Sequence, residues 1–320
     1  MSAPGTSLSH VPVLIEETLV ALDPRAGEVA LDGTAGYGGH AEAIARRLGQ
    51  GGTLWLCDLD AGNLARAAER VRAIPNAPSV RTHHGSFAEG PREIAAAGQR
   101  AGVVLADLGF ASPQVDDSTR GLSFSRPGPL DMRLDASRGV TAADLVASLS
   151  ERELADVLTR FGEERQARAV ARRIVATRAR EPITTTTQLA DLVRSVVWRT
   201  PGSIDPATRT FQALRIAVND ELGHLAALLD WVDRGARVAG EQAGRPHPDA
   251  WLAEGARVAV IAFHSLEDRP VKQAFGRLEE EGLAEVLTPR PITPGEAELG
   301  RNPRAGSAKL RAVKLRGRGA

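Results

Sequence analysis

Short apolar runs separated by helix-spaced stretches fill the first third of the chain, and each predicts an element. Residues 28–32 form a buried strand pattern and 41–48 a helix. Residues 53–58 form a second strand, followed by a helix near 61–73, a strand at 80–84, a helix near 90–97 and a strand at 102–107. This rhythm predicts a parallel sheet with right-handed crossovers. It stops at Leu108. The stretch 108–135 carries Pro113, Pro127 and Pro129 and is irregular, and a loop that long in a compact protein is usually functional. From 141 to 200 the spacing is helical: Ala167, Val170, Ile174 and Val175 fall on one face, Arg165, Arg168 and Arg172 on another. Pro206 opens a helix predicted to run through Leu229, with Phe211, Leu214, Val218, Leu222 and Leu225 as its buried stripe. Strand character returns at 257–263, and strands at 284–288 and 309–315 would close the sheet's edge. The expected class is α/β, with a sheet domain made of 1–125 and 212–320 and a helical domain, 126–211, inserted into it.

The connection after the first strand is Asp32-Gly33-Thr34-Ala35-Gly36-Tyr37-Gly38-Gly39-His40, and Asp58 ends the next strand. Glycines let the backbone turn sharply and approach a ligand. An acid at the end of the second strand is where nucleotide-binding α/β folds hold a ribose by its hydroxyls. The loop lacks the third glycine of the dinucleotide fingerprint. Gly33 and Gly38 have P-loop spacing, but Gly39-His40 stands where Lys-Ser/Thr is required. A ribose acid without a pyrophosphate grip favours S-adenosyl-L-methionine over NAD or ATP. The competing reading is a glycine-rich turn without a ligand.

With 320 residues and 42% hydrophobic content, the chain can bury a sizeable core. Residues 1–11 have no cationic start followed by an apolar stretch, and no run approaches the ~18 apolar residues of a membrane span, so a cytoplasmic protein without membrane contact is expected. Cys57 is the single cysteine, and the seven histidines show no ligand spacing, so no metal is expected. Net charge is zero, yet 165–180 holds six arginines and no acid, and 301–320 holds seven basic residues and no acid. Such patches suit a phosphate backbone. A solvated face is the alternative, because arginine greatly outnumbers lysine throughout.

Chemistry is expected at the carboxyl ends of the strands, where Asp32, Asp58, His84 to Phe87, Asp107 and Phe263-His264-Ser265 fall. Asp58 would accept from ribose hydroxyls, Phe87 would pack on an adenine, and Asp107 would face the amino-acid end or the methyl. Each has a structural alternative, since acids that begin loops often cap the next helix and a lone Phe is usually core.

Several motifs in order resemble the ribosomal RNA small subunit methyltransferase H family. These are His10-Val11-Pro12-Val13-Leu14, the Asp32 to His40 loop, Asp107-Leu108-Gly109 with Ser112-Pro113-Gln114, and Arg120-Gly121-Leu122-Ser123-Phe124. Gly128-Pro129-Leu130-Asp131-Met132-Arg133, Pro206 to Ala213, Phe263-His264-Ser265-Leu266-Glu267-Asp268 and Asn302-Pro303-Arg304-Ala305 continue the series. The resemblance runs nearly end to end. It implies a Rossmann-like methyltransferase sheet with an inserted helical domain, and S-adenosylmethionine-dependent N4-methylation of a cytidine in the decoding region of 16S ribosomal RNA. By motif, it places cofactor contacts at Gly38, Gly39, His40, Asp58, Phe87, Asp107 and Gln114. Tyr37, Ala41 and Gly306 depart from the family pattern, and 240–255 is a longer connection than usual.

An exocyclic cytosine amine is a poor nucleophile, so the enzyme must align it with the methyl and accept its N–H groups. Asp107 and Ser112 are the candidates for that role, with Asp131 and Asn219 in reserve. Arg165, Arg168, Arg172, Arg304 and Lys309 are the candidates for binding RNA, and Phe110, Phe124 and Arg133 for stacking on an unstacked base. The partner that the resemblance implies is 16S rRNA or the small subunit; the oligomeric state, a homodimer included, is left open. A dinucleotide oxidoreductase and a non-catalytic ribosome-assembly factor are the competing classes.

Overall fold

A computed structural model describes residues 12–110, 112–198, 202, 204–239 and 247–316. It divides into two compact units, 1–109 with 223–320 and 110–222. The first unit is built on seven strands: β1 (Val29–Asp32), β2 (Thr53–Asp58), β3 (Ser79–His84), β4 (Ala101–Asp107), β5 (Leu252–Ala262), β6 (Ala284–Val286) and β7 (Lys309–Leu315). Their order is β3-β2-β1-β4-β5-β7-β6. β1 to β5 are parallel, and β7 runs antiparallel to both of its neighbours. The predicted α/β class is therefore observed. Alternation along β2 splits its side chains between two cores, Leu54 and Leu56 on one face of the sheet, Trp55 and Cys57 on the other. A parallel strand buried on both faces must be apolar where it is buried, as Leu54 to Cys57 are.

The second unit is helical: Ala142–Ser148, Glu151–Gly162, Ala167–Arg178, Thr186–Arg194 and Ala207–Asn219 surround a core that includes Leu130, Leu158, Ile174, Leu189 and Leu214. Thr141, Ser150 and Thr185 start three of these helices with reciprocal capping boxes. Where the sequence drew the insertion over 126–211, the unit runs from Phe110 to Leu222. The extra residues pack inside it: Phe124 meets Phe211 edge-on at 4.7 Å, and the Arg215 guanidinium lies 4.0 Å from the centre of the Phe110 ring.

The helix expected from Pro206 through Leu229 is two helices, Ala207–Asn219 and Glu221–Val238. Asp220 breaks it with a left-handed φ of 47°. The Asn219 side chain secures the break by donating to Met132 and Arg215 carbonyls and accepting from the Leu134 N–H. The irregular stretch includes the short helix Ser112–Asp116 and a 3-10 turn, Ser118–Arg120. The first two residues of the His10 to Leu14 motif and part of the 240–255 connection lie outside the described residues.

Candidate active site

Five strand ends share one edge of the first unit's sheet: Asp32 ends β1, Asp58 β2, His84 β3 and Asp107 β4, while Phe263 and His264 follow β5. The strand order turns back between β1 and β4, and at such a switch point open α/β sheets leave a ligand crevice. Asp32 and Asp107 stand on either side of it.

Asp58 organises the glycine loop. Its Oδ2 accepts from the Gly36 N–H at 2.8 Å and its Oδ1 from the Asp60 N–H at 2.7 Å. Gly38 holds φ at 79°, and a Cβ there would stand 2.9 Å from the Ala67 Cα, so both the backbone and the space require glycine. The helix Gly39–Leu48 begins immediately after it. His40, nearly buried, places Nε2 at 3.1 Å from the Val13 carbonyl. That oxygen only accepts, so Nε2 carries the hydrogen and Nδ1 is left at 3.6 Å from Asp107 Oδ2.

Thr34 joins the two acids of the switch point. Its N–H donates to Asp32 Oδ1 at 3.1 Å, and its Oγ1 accepts from the Asp107 N–H at 2.6 Å. Asp32 is 1% exposed, whereas the Asp107 side chain keeps 21%. Asp32 Oδ2 and Asp107 Oδ1 are buried without a hydrogen-bond partner among the described residues. Burial pushes the Asp32 carboxyl up to about 7, reinforced by the charges of Asp107 and Asp58. Asp107 is pushed up to about 7 as well, first by burial and then by the charge of Glu267.

Phe87 lies in the turn after β3, its ring edge-on to His224 at 6.1 Å. Its backbone backs onto Gly33, where a Cβ would stand 2.7 Å from the Phe87 Cβ. Glu89 Oε2 ties this turn by accepting from the Ser86 N–H at 3.2 Å while meeting His83 Nε2 at 2.8 Å.

Of the residues named from sequence, Gly38, Gly39, His40, Asp58, Phe87 and Asp107 thus share the strand-end edge of the first unit. Gln114 belongs to the second unit, buried in the helix Ser112–Asp116, and the Ser112 side chain lies outside what is described. Also in the second unit, Asp131 is engaged by Arg133 at 2.8 Å through both oxygens, which holds its carboxyl below the usual range, and the amide of Asn219 is occupied by backbone. Arg165 and Arg168 are exposed beside the helix face they were assigned to, while Arg172 lies 3.6 Å from Glu151. Arg304 is exposed, and the Lys309 ammonium sits 3.6 Å from Asp268.

Two participants in the edge carried no assignment from sequence. Thr34 was visible as part of the glycine loop, but its bridging role depends on β4 lying beside β1. Glu267, 2% exposed, accepts from the Phe263 N–H at 2.8 Å and faces His264 Nε2 at 3.1 Å. It lies in a quoted motif, yet only the fold brings its charge to Asp107.

This donor set fits S-adenosylmethionine. The unpaired oxygens of Asp32 and Asp107 suit a ligand that carries an ammonium and a sulfonium, and the same carboxyls would repel a pyrophosphate. Asp58 has the acceptors a ribose diol needs.

Residues 7–316 match the MraW methylase family. A protein of Acidobacterium capsulatum named ribosomal RNA small subunit methyltransferase H is 44% identical over 311 residues, covering 95% of this chain and 98% of that one. A protein of the same name from Halorhodospira halophila is 44% identical over 326 residues, covering 97% of this chain and 95% of its own. Among solved structures, a putative rRNA-methylase from Clostridium thermocellum aligns with 96% of this chain and all of its own, at 8% identity and a TM-score of 0.43. On a match that takes in nearly the whole chain, the protein belongs to the MraW methylase family.

Proposed function

We propose that the protein transfers a methyl group from S-adenosylmethionine to the exocyclic N4 of a cytidine in the decoding region of 16S ribosomal RNA, in the cytoplasm. Family membership supports the reaction class. The observation that carries the cofactor reading is the pair of carboxyls at the switch point, each with an oxygen that lacks a donor among the described residues.

When bound, the cofactor supplies an electrophilic methyl. The residues around it bind and orient. Asp58 accepts from the ribose hydroxyls, Phe87 packs on the adenine face, and the Gly38-Gly39-His40 backbone lets the chain approach closely. Asp107, the more exposed acid of the pair, accepts an N–H of the target amine and so turns its lone pair toward the methyl. Arg168 and Arg172 on the exposed face of the helix Ala167–Arg178, with Arg165 just before it, suit the phosphate backbone of the RNA.

Cys57 supports N4 over the ring carbon C5. Methylation at C5 ordinarily needs a cysteine thiolate to add to the ring. The only thiol of this chain is completely buried in the sheet core, and that burial pushes it far above its ordinary value.

The test is calorimetric titration with S-adenosylmethionine and NAD, followed by methylation of 16S rRNA and of assembled small subunits with nucleoside analysis of the product. Binding of S-adenosylmethionine but not NAD, with N4-methylcytidine as product, is expected. Preference for NAD would favour an oxidoreductase, and RNA binding without methyl transfer would favour an assembly factor.

A further inference from the structure

We propose that Asp32 and Asp107 form a coupled carboxyl pair that holds a proton in the free protein and releases it to solvent when the cationic cofactor binds. This rests on the cofactor reading above and adds to it a residue, Asp32, too buried to serve as an ordinary surface contact.

The geometry comes first. The two acids end adjacent parallel strands, with Asp32 in register with Leu105, two residues before Asp107. Thr34 braces both, one through its N–H and the other through its hydroxyl. Each carboxyl has one oxygen satisfied by backbone, Asp32 by Thr34 and Asp107 by Gly109, and one buried oxygen without a partner among the described residues. Two carboxylates at neighbouring strand ends, Asp32 buried and Asp107 largely so, repel each other, so holding both ionised is costly and one proton relieves the repulsion.

The surroundings point the same way. Asp32 faces Asp58 and the Cys57 thiol from β2 and Asp107 from β4. Asp107 faces His40 Nδ1 from the helix Gly39–Leu48 and Glu267, with His264 beside it, from the helix Ser265–Glu280. The fixed charges acting on Asp32 are carboxylates, and Glu267 adds another at Asp107. The pair as a unit is accordingly shifted up from the carboxylate range toward neutrality.

A ligand bearing an ammonium and a sulfonium reverses that balance. Its charge favours the ionised form of both acids, so the O–H bond breaks, the electron pair stays on the carboxylate and the proton passes to buffer. By linkage, affinity must then rise with pH until the pair is already ionised in the free protein.

Calorimetric titration of the full chain with S-adenosylmethionine, in buffers of different ionisation enthalpy from about pH 6 to 8, counts the protons released. About one proton per cofactor is expected near pH 6, falling towards none by pH 8, with affinity rising by up to tenfold per pH unit below about 7. In Asp32→Asn the release should fall and the affinity should depend less steeply on pH, since only Asp107, raised by its own burial and by Glu267, is left to titrate. Undiminished release in that variant would place the proton on another group, such as His40 or Glu267, and overturn the proposal. So would tight binding by the wild type with no release. Should Asp32→Asn fail to fold, infrared difference spectra of the wild type decide: loss of a protonated-carboxyl band on binding supports the pair, and its absence refutes it. Failure to bind S-adenosylmethionine at every pH would sink the cofactor reading, and this proposal with it.

Discussion

Asp58 accepts backbone N–H groups through both of its oxygens, and a carboxylate oxygen in that place can accept from a ribose hydroxyl as well. Asp58→Ala is therefore expected to weaken S-adenosylmethionine binding by about 2 to 4 kcal/mol, part of it from the loosened glycine loop. Titration alongside circular dichroism checks this; full affinity in a folded variant would leave Asp58 with only its loop-holding role. One residue earlier, Cys57 points to the opposite face of β2 into the core. Cys57→Ala should keep methyl transfer and cost about 1 kcal/mol or somewhat more in stability, as expected for a small buried truncation. RNA carrying 5-fluorocytidine should form no denaturant-stable adduct with the enzyme. An adduct, or loss of activity in the folded variant, would count against N4.

The helix Ala167–Arg178 carries the next expectation, because its two faces are so unlike: Ala167, Val170, Ala171 and Ile174 are buried while Arg168 and Arg172 are exposed, with Arg165 exposed just before the helix. Changing Arg165, Arg168 and Arg172 together to glutamine should lower RNA affinity and flatten its salt dependence, by up to ~0.9 in log–log slope for each phosphate no longer neutralised, with cofactor affinity unchanged. An unaltered salt slope would make the stripe a solvated face. Arg172 should contribute least of the three, since Glu151 already lies 3.6 Å away. Elements of this kind were legible in the sequence because their periodicity is local: the strands at 53–58 and 309–315 and the arginine-faced helix fall where spacing put them. The break at Asp220 was not. Periodicity runs through it unbroken, and what enforces it is a set of bonds from Asn219 to Met132 and Leu134, far away along the chain. The site divides in the same way. The acids were readable as strand ends, but the Thr34 bridge and the charge of Glu267 at Asp107 exist only once β4 lies between β1 and β5.

At the scale of the molecule, opposing carboxyl titrations shape the stability of the cofactor-free fold. Burial works against the Glu28 charge, but its bonds to Arg257 at 2.8 and 2.9 Å and to the Arg25 N–H outweigh it and hold its carboxyl below the ordinary value. A group depressed in this way stabilises the fold above its unfolded pKa, and that contribution is lost as pH falls. Asp32 acts in the opposite sense. Its carboxyl is raised from 3.8 to about 7, so the folded state binds its proton more tightly than the unfolded chain does. No penalty exists below about pH 4, where both states are protonated; it grows between 4 and 7, and above 7 the fold bears all of it. The slope reaches at most ~1.4 kcal/mol per pH unit for one group. Asp32→Asn removes the charge while keeping the shape and an acceptor for Thr34. The variant is therefore expected to be more stable than wild type at pH 8, by roughly 1 to 4 kcal/mol. That advantage should shrink toward zero by about pH 4.5. Denaturant unfolding of both proteins across this range gives the difference directly, and saturating S-adenosylmethionine should narrow it at pH 8 by stabilising the wild type more. A gap that does not change with pH would mean that Asp32 is ionised at no cost in the folded chain, and that the strand-end acids are already balanced before any cation arrives.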